Sequence, residues 1–400
     1  MDKKELRYGF TTGTCAAVAA KAAAAMLLSG NQLQHMKLMT PKGTEADLPL
    51  FHIALKHNKV SCAVKKDAGD DPDVTDQTLI FASVETINED KKAEVLRGGC
   101  FVKEGENSEF LELILTAKEG VGQVTKPGLS TPVGFPAINP VPRNMIFHEV
   151  DEVRKKAGYK SSLLICIWIP EGRRLAEKTF NLRLGIEGGL SILGTTGIVK
   201  PMSEEALLAT IQLELHMKAV AGQKQVILTP GNYGESFLKE RFQLSQGEGV
   251  IISNFIKKSC LMAKEEGFCE ILFVGHIGKL VKVAGGVENT HSKYGDRRME
   301  VLWDCACSYF ENNEKEKEQL MQANTMDVAV QILKEKGVLA PVMTEVVRRI
   351  KGHMMDWTEG IWVEVITFSN THGILGMTPK AEEMVHRYLR EKEIQKTGYK

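Results

Sequence analysis

The sequence predicts an α+β domain over residues 1–148, followed by an α/β domain with a mostly parallel sheet over residues 149–400. Two observations support this fold class. An alanine-rich helical run near the N-terminus precedes several strand-like segments that are separated by Gly, Asp and Pro turns. After His148, short apolar strands alternate with helices, a pattern typical of a parallel sheet covered on both faces. We therefore expect the second domain to be Rossmann-like.

In the first domain, the alanine run at residues 16–25 predicts a strong helix that Thr11, Thr12 or Thr14 can cap. The proline-rich segment 126–143 predicts an irregular and stiff connector, because each proline fixes φ and pushes the preceding residue to an extended conformation. Alternating apolar residues predict four strands, at residues 36–39, 53–64, 78–86 and 110–117.

In the second domain, continuous apolar runs predict strands at residues 163–169, 182–186, 226–228, 250–252, 271–274 and 362–368. Helical periodicity predicts helices at residues 203–220, 254–266, 299–310, 326–336 and 342–351, and a final helix from Thr378 to about Lys392. Ligands of such sheets bind outside the carboxyl ends of the strands.

Composition narrows the class of protein. The 51 basic and 51 acidic residues balance, so no overall positive charge draws nucleic acid or an anionic membrane. The eight cysteines lack the paired spacing of structural zinc sites, which predicts a reduced cytoplasmic protein with no metal site of its own. The alanine run is interrupted by Lys21 and follows a threonine–glycine turn, so we do not interpret it as a secretory signal.

Four strand-end loops are the predicted ligand-binding loops: the glycine-rich segments 187–197, 229–234 and 275–279, and the pair Ser253-Asn254. Glycine lets a backbone approach a ligand closely, and several such loops at the strand ends of one sheet favour a nucleoside or phosphate-like ligand. The phosphate-binding P-loop and the G-x-G-x-x-G fingerprint are both missing, which disfavours a nucleotide triphosphatase or a standard dinucleotide dehydrogenase.

Three other features each have two interpretations. The helix start at residues 11–15 is either an anion site or a capped packing helix, and Cys15 is either a thiolate nucleophile or a small core residue. In the polar segment 281–300, His291 and Asp296 are candidates for acid or base catalysis, although a solvated loop would have a similar composition. The acidic segment 67–76 lacks calcium-loop spacing and predicts a solvated or ligand-facing turn.

Several long motifs together resemble the CbiD family of cobalt-precorrin-5B C(1)-methyltransferases. They are YGFTTGTCAA from Tyr8, residues 67–75, KPGLSTPVGFPAINPVPR from Lys126, GTTGIVKPMS from Gly194, and VGHIGKLVKVAGGVENTHS from Val274 with DRRME from Asp296. The motifs occur in the same order and extend roughly from Leu6 to Met377.

The resemblance implies methyl transfer from S-adenosylmethionine to carbon 1 of cobalt-precorrin-5B, giving cobalt-precorrin-6A in anaerobic cobalamin biosynthesis. The substrate is a tetrapyrrole that carries its own cobalt. A sulfonium methyl is already activated, so catalysis can rest mainly on alignment of donor and acceptor, without a covalent nucleophile. The resemblance leaves open a homo-oligomer or transient contacts with other pathway enzymes.

Expected site residues come from the matching motifs and from the glycine-rich loops of the second domain. For the methyl donor they are Gly194, Thr195, Thr196 and Gly197, followed by Gly231 and Gly275. If the 194–197 amides contact the donor, Gly197→Val should weaken donor binding and leave thermal stability nearly intact. For the acetate and propionate arms of the macrocycle they are Thr11, Thr12, Thr14, Lys126, Arg143, Lys200, Lys279, Lys282, Arg297 and Arg298.

One departure and two alternatives accompany this interpretation. The E/D-x-G-x-G loop usual in Rossmann-like methyltransferases is represented only by Glu187 and Gly189, so the donor could bind differently. A noncatalytic tetrapyrrole-binding protein would need no methyl donor. An acyl transferase or hydrolase would instead depend on Cys15.

Overall fold

The computed structural model describes residues 6–104, 113–245, 247–310 and 313–397. Within these ranges, helices and strands mix and several separate sheets form, which confirms the expected mixed α/β class. The chain divides into two compact units, Met1–Ser203 and Glu204–Lys400, called here unit 1 and unit 2.

Unit 1 contains a long buried helix, further helices and a large mixed sheet. Its described elements are β1 (Gly9–Phe10), α1 (Thr12–Ser29), β2 (His35–Met39), β3 (Glu45–Lys56), β4 (Lys59–Lys65), β5 (Leu79–Thr86), α2 (Glu89–Leu96), β6 (Phe101–Lys103), β7 (Leu113–Ala117), β8 (Gly120–Val121), β9 (Gln123–Val124), α3 (Pro140–Lys156), β10 (Leu163–Trp168), α4 (Gly172–Ala176), β11 (Ile186–Glu187), β12 (Gly189–Leu190) and β13 (Ile198–Val199).

The large sheet of unit 1 has seven strands in the order β2-β3-β4-β5-β10-β7-β6. Its neighbouring strands are antiparallel except for β10 and β7, which run parallel. The strand β1 lies apart from this sheet and pairs with β13, where Gly9 faces Val199 and Phe10 faces Ile198. The first and last segments of unit 1 are therefore hydrogen-bonded to each other.

The helix α1 forms the centre of the unit 1 core. Its small alanine side chains allow it to pack closely against α3 and against strands β4 and β5. It ends at Gly30, which adopts a left-handed conformation with φ 73° and donates its N–H to the Met26 carbonyl. Among the described residues, α1 is the one helix long and apolar enough to cross a membrane, but 72% of its apolar stretch is buried within the protein.

Unit 2 alternates helices with strands. Its described elements are α5 (Glu204–Val220), β14 (Gln225–Thr229), α6 (Asn232–Phe242), β15 (Gly249–Ile251), α7 (Ile256–Glu265), β16 (Glu270–His276), α8 (Ile277–Ala284), α9 (Arg298–Ala306), α10 (Asn313–Met321), α11 (Met326–Glu335), α12 (Leu339–Thr358), β17 (Trp362–Ser369), β18 (Gly373–Met377) and α13 (Ala381–Thr397). The strand order is β15-β14-β16-β17-β18; the first four strands are parallel, and β18 is antiparallel to β17.

Both faces of this second sheet are buried, which explains why its strands are continuously apolar. Ile271 and Phe273 of β16 face a cluster that includes side chains of α7, α8 and α12. Leu272 and Val274, which alternate with them, face a second cluster formed with α6 and α13. The side-chain period of two therefore divides each strand between two apolar layers.

The structure corrects several sequence-based expectations. The run 163–169 forms β10, which pairs with β5 and β7 inside unit 1 rather than in the second sheet. Along the chain, the boundary between the compact units falls between residues 203 and 204 rather than near 148. The run 53–64 is divided between β3 and β4, and only the last residue of 182–186 is a strand residue. Of the run 110–117, residues 113–117 form β7, and residues 110–112 lie outside the described ranges.

The proline-rich segment is irregular only in its first part. Its last residues begin α3, with Pro140 in the first turn, where the missing N–H costs no helical hydrogen bond.

Candidate functional site

The start of α1 is occupied by protein carbonyl groups. Gly13 donates its N–H to the Leu193 carbonyl at 2.9 Å, and the Thr14 hydroxyl donates to the Gly197 carbonyl at 2.6 Å. Thr12 Oγ1 accepts from the Leu193 N–H at 2.9 Å, and Thr11 Oγ1 caps the helix by accepting from the Thr14 N–H at 3.2 Å. The three threonines are buried and these hydroxyls already have partners, so we do not assign them to ligand binding.

The glycines of segment 194–197 are explained by this packing. Gly194 has φ 133°, and a Cβ atom there would lie 2.3 Å from Thr11 Oγ1. Gly197 has φ 80°, and a Cβ atom there would lie 2.8 Å from Thr40 Cβ. Thr195 and Thr196 are exposed on the outside of the same turn. The segment belongs to unit 1, so the expectation that it follows a strand of the second sheet is wrong.

Cys15 is a core residue. It is fully buried in α1, and burial raises the pKa of its thiol to about 12. A thiolate is therefore scarce at neutral pH, and no solvent-exposed nucleophile is present at this position. The geometry argues against the Cys15-dependent acyl transferase or hydrolase.

Four loops meet at one edge of the second sheet, because β15, β14, β16 and β17 are parallel and their carboxyl ends point the same way. We call them the strand-end loops: residues 229–233, 252–255, 275–279 and 369–372. All four lie within unit 2.

The first strand-end loop approaches a lysine. Gly231 has φ 106°, and the atom nearest to a Cβ placed there would be the Lys279 ammonium nitrogen at 3.6 Å. Lys279 Nζ donates to the Ser253 carbonyl at 3.3 Å. Burial, together with the positive charge of Lys282, lowers the pKa of Lys279 below its usual range. A half-buried ammonium with one carbonyl partner keeps hydrogen-bond capacity for an anionic group.

His276 and Tyr233 are two ring side chains of the same strand-end loops. His276 caps α8 by accepting from the Gly278 N–H at its Nδ1, 3.1 Å away, which places the proton of the neutral ring on Nε2. Burial lowers the pKa of His276, against a smaller opposing effect of Asp327. The rings of Tyr233 and His276 are 6.1 Å apart, and Tyr233 is 64% exposed.

Asp327, in the first turn of α11, also lies near this edge. Its Oδ2 accepts from the Thr371 hydroxyl at 3.2 Å. Its Oδ1 is buried, and none of the described residues donates to it. A buried carboxylate oxygen without a donor is expected to take one from a ligand or from water.

Gly275, which was expected to contact a donor, has a packing explanation. A Cβ atom at Gly275 would lie 2.4 Å from Leu280 Cδ1 and 2.8 Å from Pro230 Cγ. Only hydrogen fits between these side chains, so this glycine lets β16 pass close to the first strand-end loop.

The polar segment after α8 is anchored to the second strand-end loop. Thr290 donates its N–H to the Asn254 carbonyl at 3.0 Å, and buried Lys282 donates to the Gly295 and Thr290 carbonyls at 3.2 and 3.5 Å. Lys282 therefore holds this segment and is not presented to a substrate. His291 is exposed and accepts from the Lys293 N–H at its Nδ1.

Asp296 is not placed to act as a base. Arg298 Nε donates to its Oδ1 at 2.8 Å, and this hydrogen bond is the main reason that the pKa of Asp296 is lowered. Arg298 is thus hydrogen-bonded to a carboxylate of its own segment, whereas the side chain of Arg297 is exposed. The two catalytic candidates, His291 and Asp296, thus lie in one segment, but Asp296 is committed to a structural ion pair.

Unit 1 contains a separate cleft of about 580 Å³. We call it the Arg143 cleft; it lies between β6, the proline-rich segment and α3, and it is lined by Cys100, Phe101, Val102, Lys103, Phe135, Arg143, Asn144, Phe147 and His148. The Arg143 guanidinium lies 4.2 Å from the centre of the Phe101 ring. Burial alone lowers the pKa of Arg143.

The remaining predicted cations are not gathered into one site. Lys126 is exposed, and its side chain lies against Gly185, where a Cβ atom would come within 2.6 Å of Lys126 Cγ. Lys200 is exposed near the end of unit 1. Carboxylates of the acidic segment 67–76 are paired with cations just outside it: Asp73 pairs with the buried Lys66 at 2.7 Å, and Asp67 pairs with Arg7. Among the described residues, no three His, Cys, Asp or Glu side chains are grouped to hold a metal.

The sequence-based site residues do not include Tyr233 and His276 of the strand-end loops, nor Asp327 of α11 beside them. The first two lie within loops 229–234 and 275–279, which the sequence predicts as ligand-binding, but the predicted site residues of those loops are only Gly231, Gly275 and Lys279. Asp327 is distant in sequence from every predicted strand end, and only the folded chain brings it to Thr371.

Comparisons with known proteins cover nearly the whole chain. A family model described as CbiD matches residues 1–201, and one described as the CbiD C-terminal domain matches residues 289–379. The chain is 40% identical to a cobalt-precorrin-5B C(1)-methyltransferase from Alkaliphilus metalliredigens, over 96% of this chain and 95% of the relative. It is 41% identical to the protein of that name from Ruminiclostridium cellulolyticum, over 88% and 85% of the two chains. The crystal structure of a cobalamin biosynthesis protein (cbiD) from Archaeoglobus fulgidus matches 70% of this chain and 80% of its own, with a TM-score of 0.35 and 24% identity.

Proposed function

Because this chain belongs to the CbiD family, we propose that it is a cobalt-precorrin-5B C(1)-methyltransferase that takes its methyl group from S-adenosylmethionine. The product is cobalt-precorrin-6A, and the reaction belongs to anaerobic cobalamin biosynthesis in the cytoplasm. The observation that carries this proposal is the similarity to methyltransferases of that name over nearly the full length of both chains. The cobalt is part of the tetrapyrrole substrate rather than a cofactor of the protein.

The strand-end loops of unit 2 are the proposed donor site. The parallel order of β15, β14, β16 and β17 supports a Rossmann-like interpretation of this unit, in which a nucleoside binds outside the strand ends. S-adenosylmethionine supplies an activated methyl group on a sulfonium centre. The residues present fit the other parts of that molecule, because the edge offers an exposed aromatic ring, an ammonium and a carboxylate oxygen that lacks a donor among the described residues.

Charge determines how the donor would be oriented. Lys279 suits the carboxylate of the methionine part, and Gly231 leaves the backbone open for its approach. Asp327 Oδ1 can accept from a ribose hydroxyl or an ammonium group. His276 is held neutral by burial, so its Nε2–H can donate without placing a positive charge beside the sulfonium. Together these groups bind and orient the donor, and alignment with the acceptor carbon then supplies the rate enhancement.

The decisive experiment is an anaerobic incubation with methyl-labelled S-adenosylmethionine and cobalt-precorrin-5B. We expect the label at carbon 1 of the product, located by mass spectrometry and NMR. A stable alternative readout is calorimetric titration with S-adenosylhomocysteine, with and without a corrinoid. A protein that binds corrinoid but no S-adenosylhomocysteine would be a noncatalytic tetrapyrrole-binding protein, and the methyltransferase proposal would be rejected.

The position of the donor has its own test. Lys279→Gln removes one charge-assisted contact, so we expect S-adenosylhomocysteine binding to weaken about tenfold. Lys334→Gln removes the same charge from an exposed site on α11 and should leave binding unchanged. Equal affinities of wild type and Lys279→Gln would place the donor elsewhere without affecting the assignment of the reaction.

A further inference from the structure

The Arg143 cleft combines a cation, which none of the described carboxylates pairs with, and aromatic walls. Phe101 and Phe147 are buried, and the rings of Phe101 and Phe135 are 5.2 Å apart. The cleft is thus apolar where these rings lie and polar where Arg143, Asn144 and His148 lie. Its volume of about 580 Å³ is within the usual range for small-molecule sites, about 300–1,000 Å³.

The cleft is lined by the cations Lys103 and Arg143. None of the described residues that line it is acidic. Lys103 contacts Asp151 at 3.0 Å, but that single carboxylate also pairs with Arg154 at 2.7 Å and Lys155 at 3.1 Å. Asp151 is thus shared by three cations, and its single negative charge cannot neutralise all of them.

Arg143 itself has no acidic partner within the part of the chain that the structure describes. Its guanidinium lies over the Phe101 ring, a contact that holds its plane while leaving the N–H groups at its edge available. A half-buried guanidinium without a counter-ion is costly, and a carboxylate from a ligand would remove that cost by a bidentate pair. Burial already lowers the pKa of Arg143, which agrees with a desolvated and unpaired cation.

The local backbone is shaped to keep the cleft walls close together. Gly99, just before β6, has φ 75°, and a Cβ atom there would lie 2.8 Å from the Gly134 carbonyl oxygen. This close approach brings the proline-rich segment against β6 and places Phe135 beside Phe101. The glycine pair thus has a structural role in forming the aromatic wall.

We propose that the Arg143 cleft binds a carboxylate arm of the macrocycle, with the apolar edge of the ring system against Phe101 and Phe135. The identity of the macrocycle rests on the proposed function, but the chemistry of the cleft requires only a flat, partly apolar ligand that carries carboxylates. The cleft lies wholly within unit 1 and shares no residue with the strand-end loops.

The test uses two stable corrinoids that differ in their side arms. Cobyrinic acid has free acetate and propionate carboxylates, whereas cobinamide carries amides at those positions. Loss of one charge-assisted pair should weaken cobyrinic acid binding roughly tenfold to hundredfold in Arg143→Gln. Arg143→Lys keeps the charge but loses the planar fork and should recover part of that affinity. Binding of cobinamide should be unchanged in both variants.

Two further variants keep the result interpretable. Asn144→Glu places a negative charge at an exposed position in the cleft and should repel cobyrinic acid without disturbing the core. Lys156→Gln removes an exposed charge at the end of the same helix, outside the cleft, and should bind like the wild type. The proposal is overturned if Arg143→Gln binds cobyrinic acid within twofold of wild type, or if Lys156→Gln loses as much affinity.

The outcome can be separated from that of the proposed function. Titration of the same variants with S-adenosylhomocysteine reports on the donor site, and Arg143→Gln should leave that affinity intact. A wild-type protein that binds cobyrinic acid through Arg143 but no donor would support the cleft and reject the methyltransferase. A protein that transfers methyl groups with an unchanged KM in Arg143→Gln would reject the cleft and support the methyltransferase.

Discussion

Replacement of Gly197 by alanine distinguishes a packing role of segment 194–197 from a role in donor binding. A left-handed backbone costs an L-residue about 1–2 kcal/mol. The added Cβ would also lie 2.8 Å from Thr40 Cβ and 3.0 Å from Thr14 Oγ1. Relief of such overlap costs about 1–3 kcal/mol, and displacement of the Gly197 carbonyl would weaken a buried hydrogen bond from Thr14, worth about 1 kcal/mol. We therefore expect a loss of about 3–6 kcal/mol in the stability of unit 1.

A matched control isolates the backbone effect. Gly43 has nearly the same φ, 82°, but no atom lies within 4 Å of a Cβ placed there. Gly43→Ala should cost only the backbone contribution of about 1–2 kcal/mol. Hydrogen exchange in increasing urea, followed by mass spectrometry on peptides of α1, measures both changes within unit 1. The reasoning is refuted if the two variants lose equal stability, or if Gly197→Ala weakens S-adenosylhomocysteine binding while α1 keeps its protection.

Two predictions concern buried ionisable groups. Cys15→Ala should keep methyl transfer within about twofold of wild type, and loss of turnover with unchanged folding would contradict this. Because burial raises the pKa of Cys15 to about 12, iodoacetamide at pH 8 should leave Cys15 unmodified in the native protein while it labels the exposed Cys269. Burial opposes ionisation of Asp151, but hydrogen bonds from Arg154, Lys103 and Lys155 outweigh it and lower its pKa to about 2. Its carboxylate therefore stabilises the fold above the ordinary pKa of 3.8, and this contribution is lost as the pH falls towards 2. Asp151→Asn should lower the free energy of unfolding by about 1–2 kcal/mol at pH 7, and urea titrations should show the difference narrowing below pH 4; a constant difference would be inconsistent with the assigned ion pairs.

The strands of unit 2 were predictable because burial on both faces leaves a continuous apolar run. The same pattern misassigned residues 163–169, because β10 is a central strand of the other sheet and is also buried. An apolar run reports burial, but it does not report which strands lie beside it. Pairing partners depend on contacts between residues that are distant in sequence.

The glycine loops show the corresponding limit for the site. Gly231 and Gly197 have the same signal in sequence, since both allow positive φ and close backbone approach. In the folded chain, Gly231 faces the Lys279 ammonium, whereas Gly197 faces Thr40 and Thr14. Sequence can therefore locate a close approach but cannot say whether a ligand or another part of the protein makes it.

The capped start of α1 has a consequence for synthesis of the chain. The hydroxyls of Thr12 and Thr14 bond to carbonyls that lie 179 to 183 residues later in the sequence. During translation, α1 emerges before its partners at residues 191–197, which emerge only when unit 1 is almost complete. Until then an apolar helix of 18 residues lacks its final contacts, and contacts of such long range form slowly. The start of α1 is thus secured only after residues 191–197 have been made, and truncation before residue 191 would leave it permanently without these hydrogen bonds.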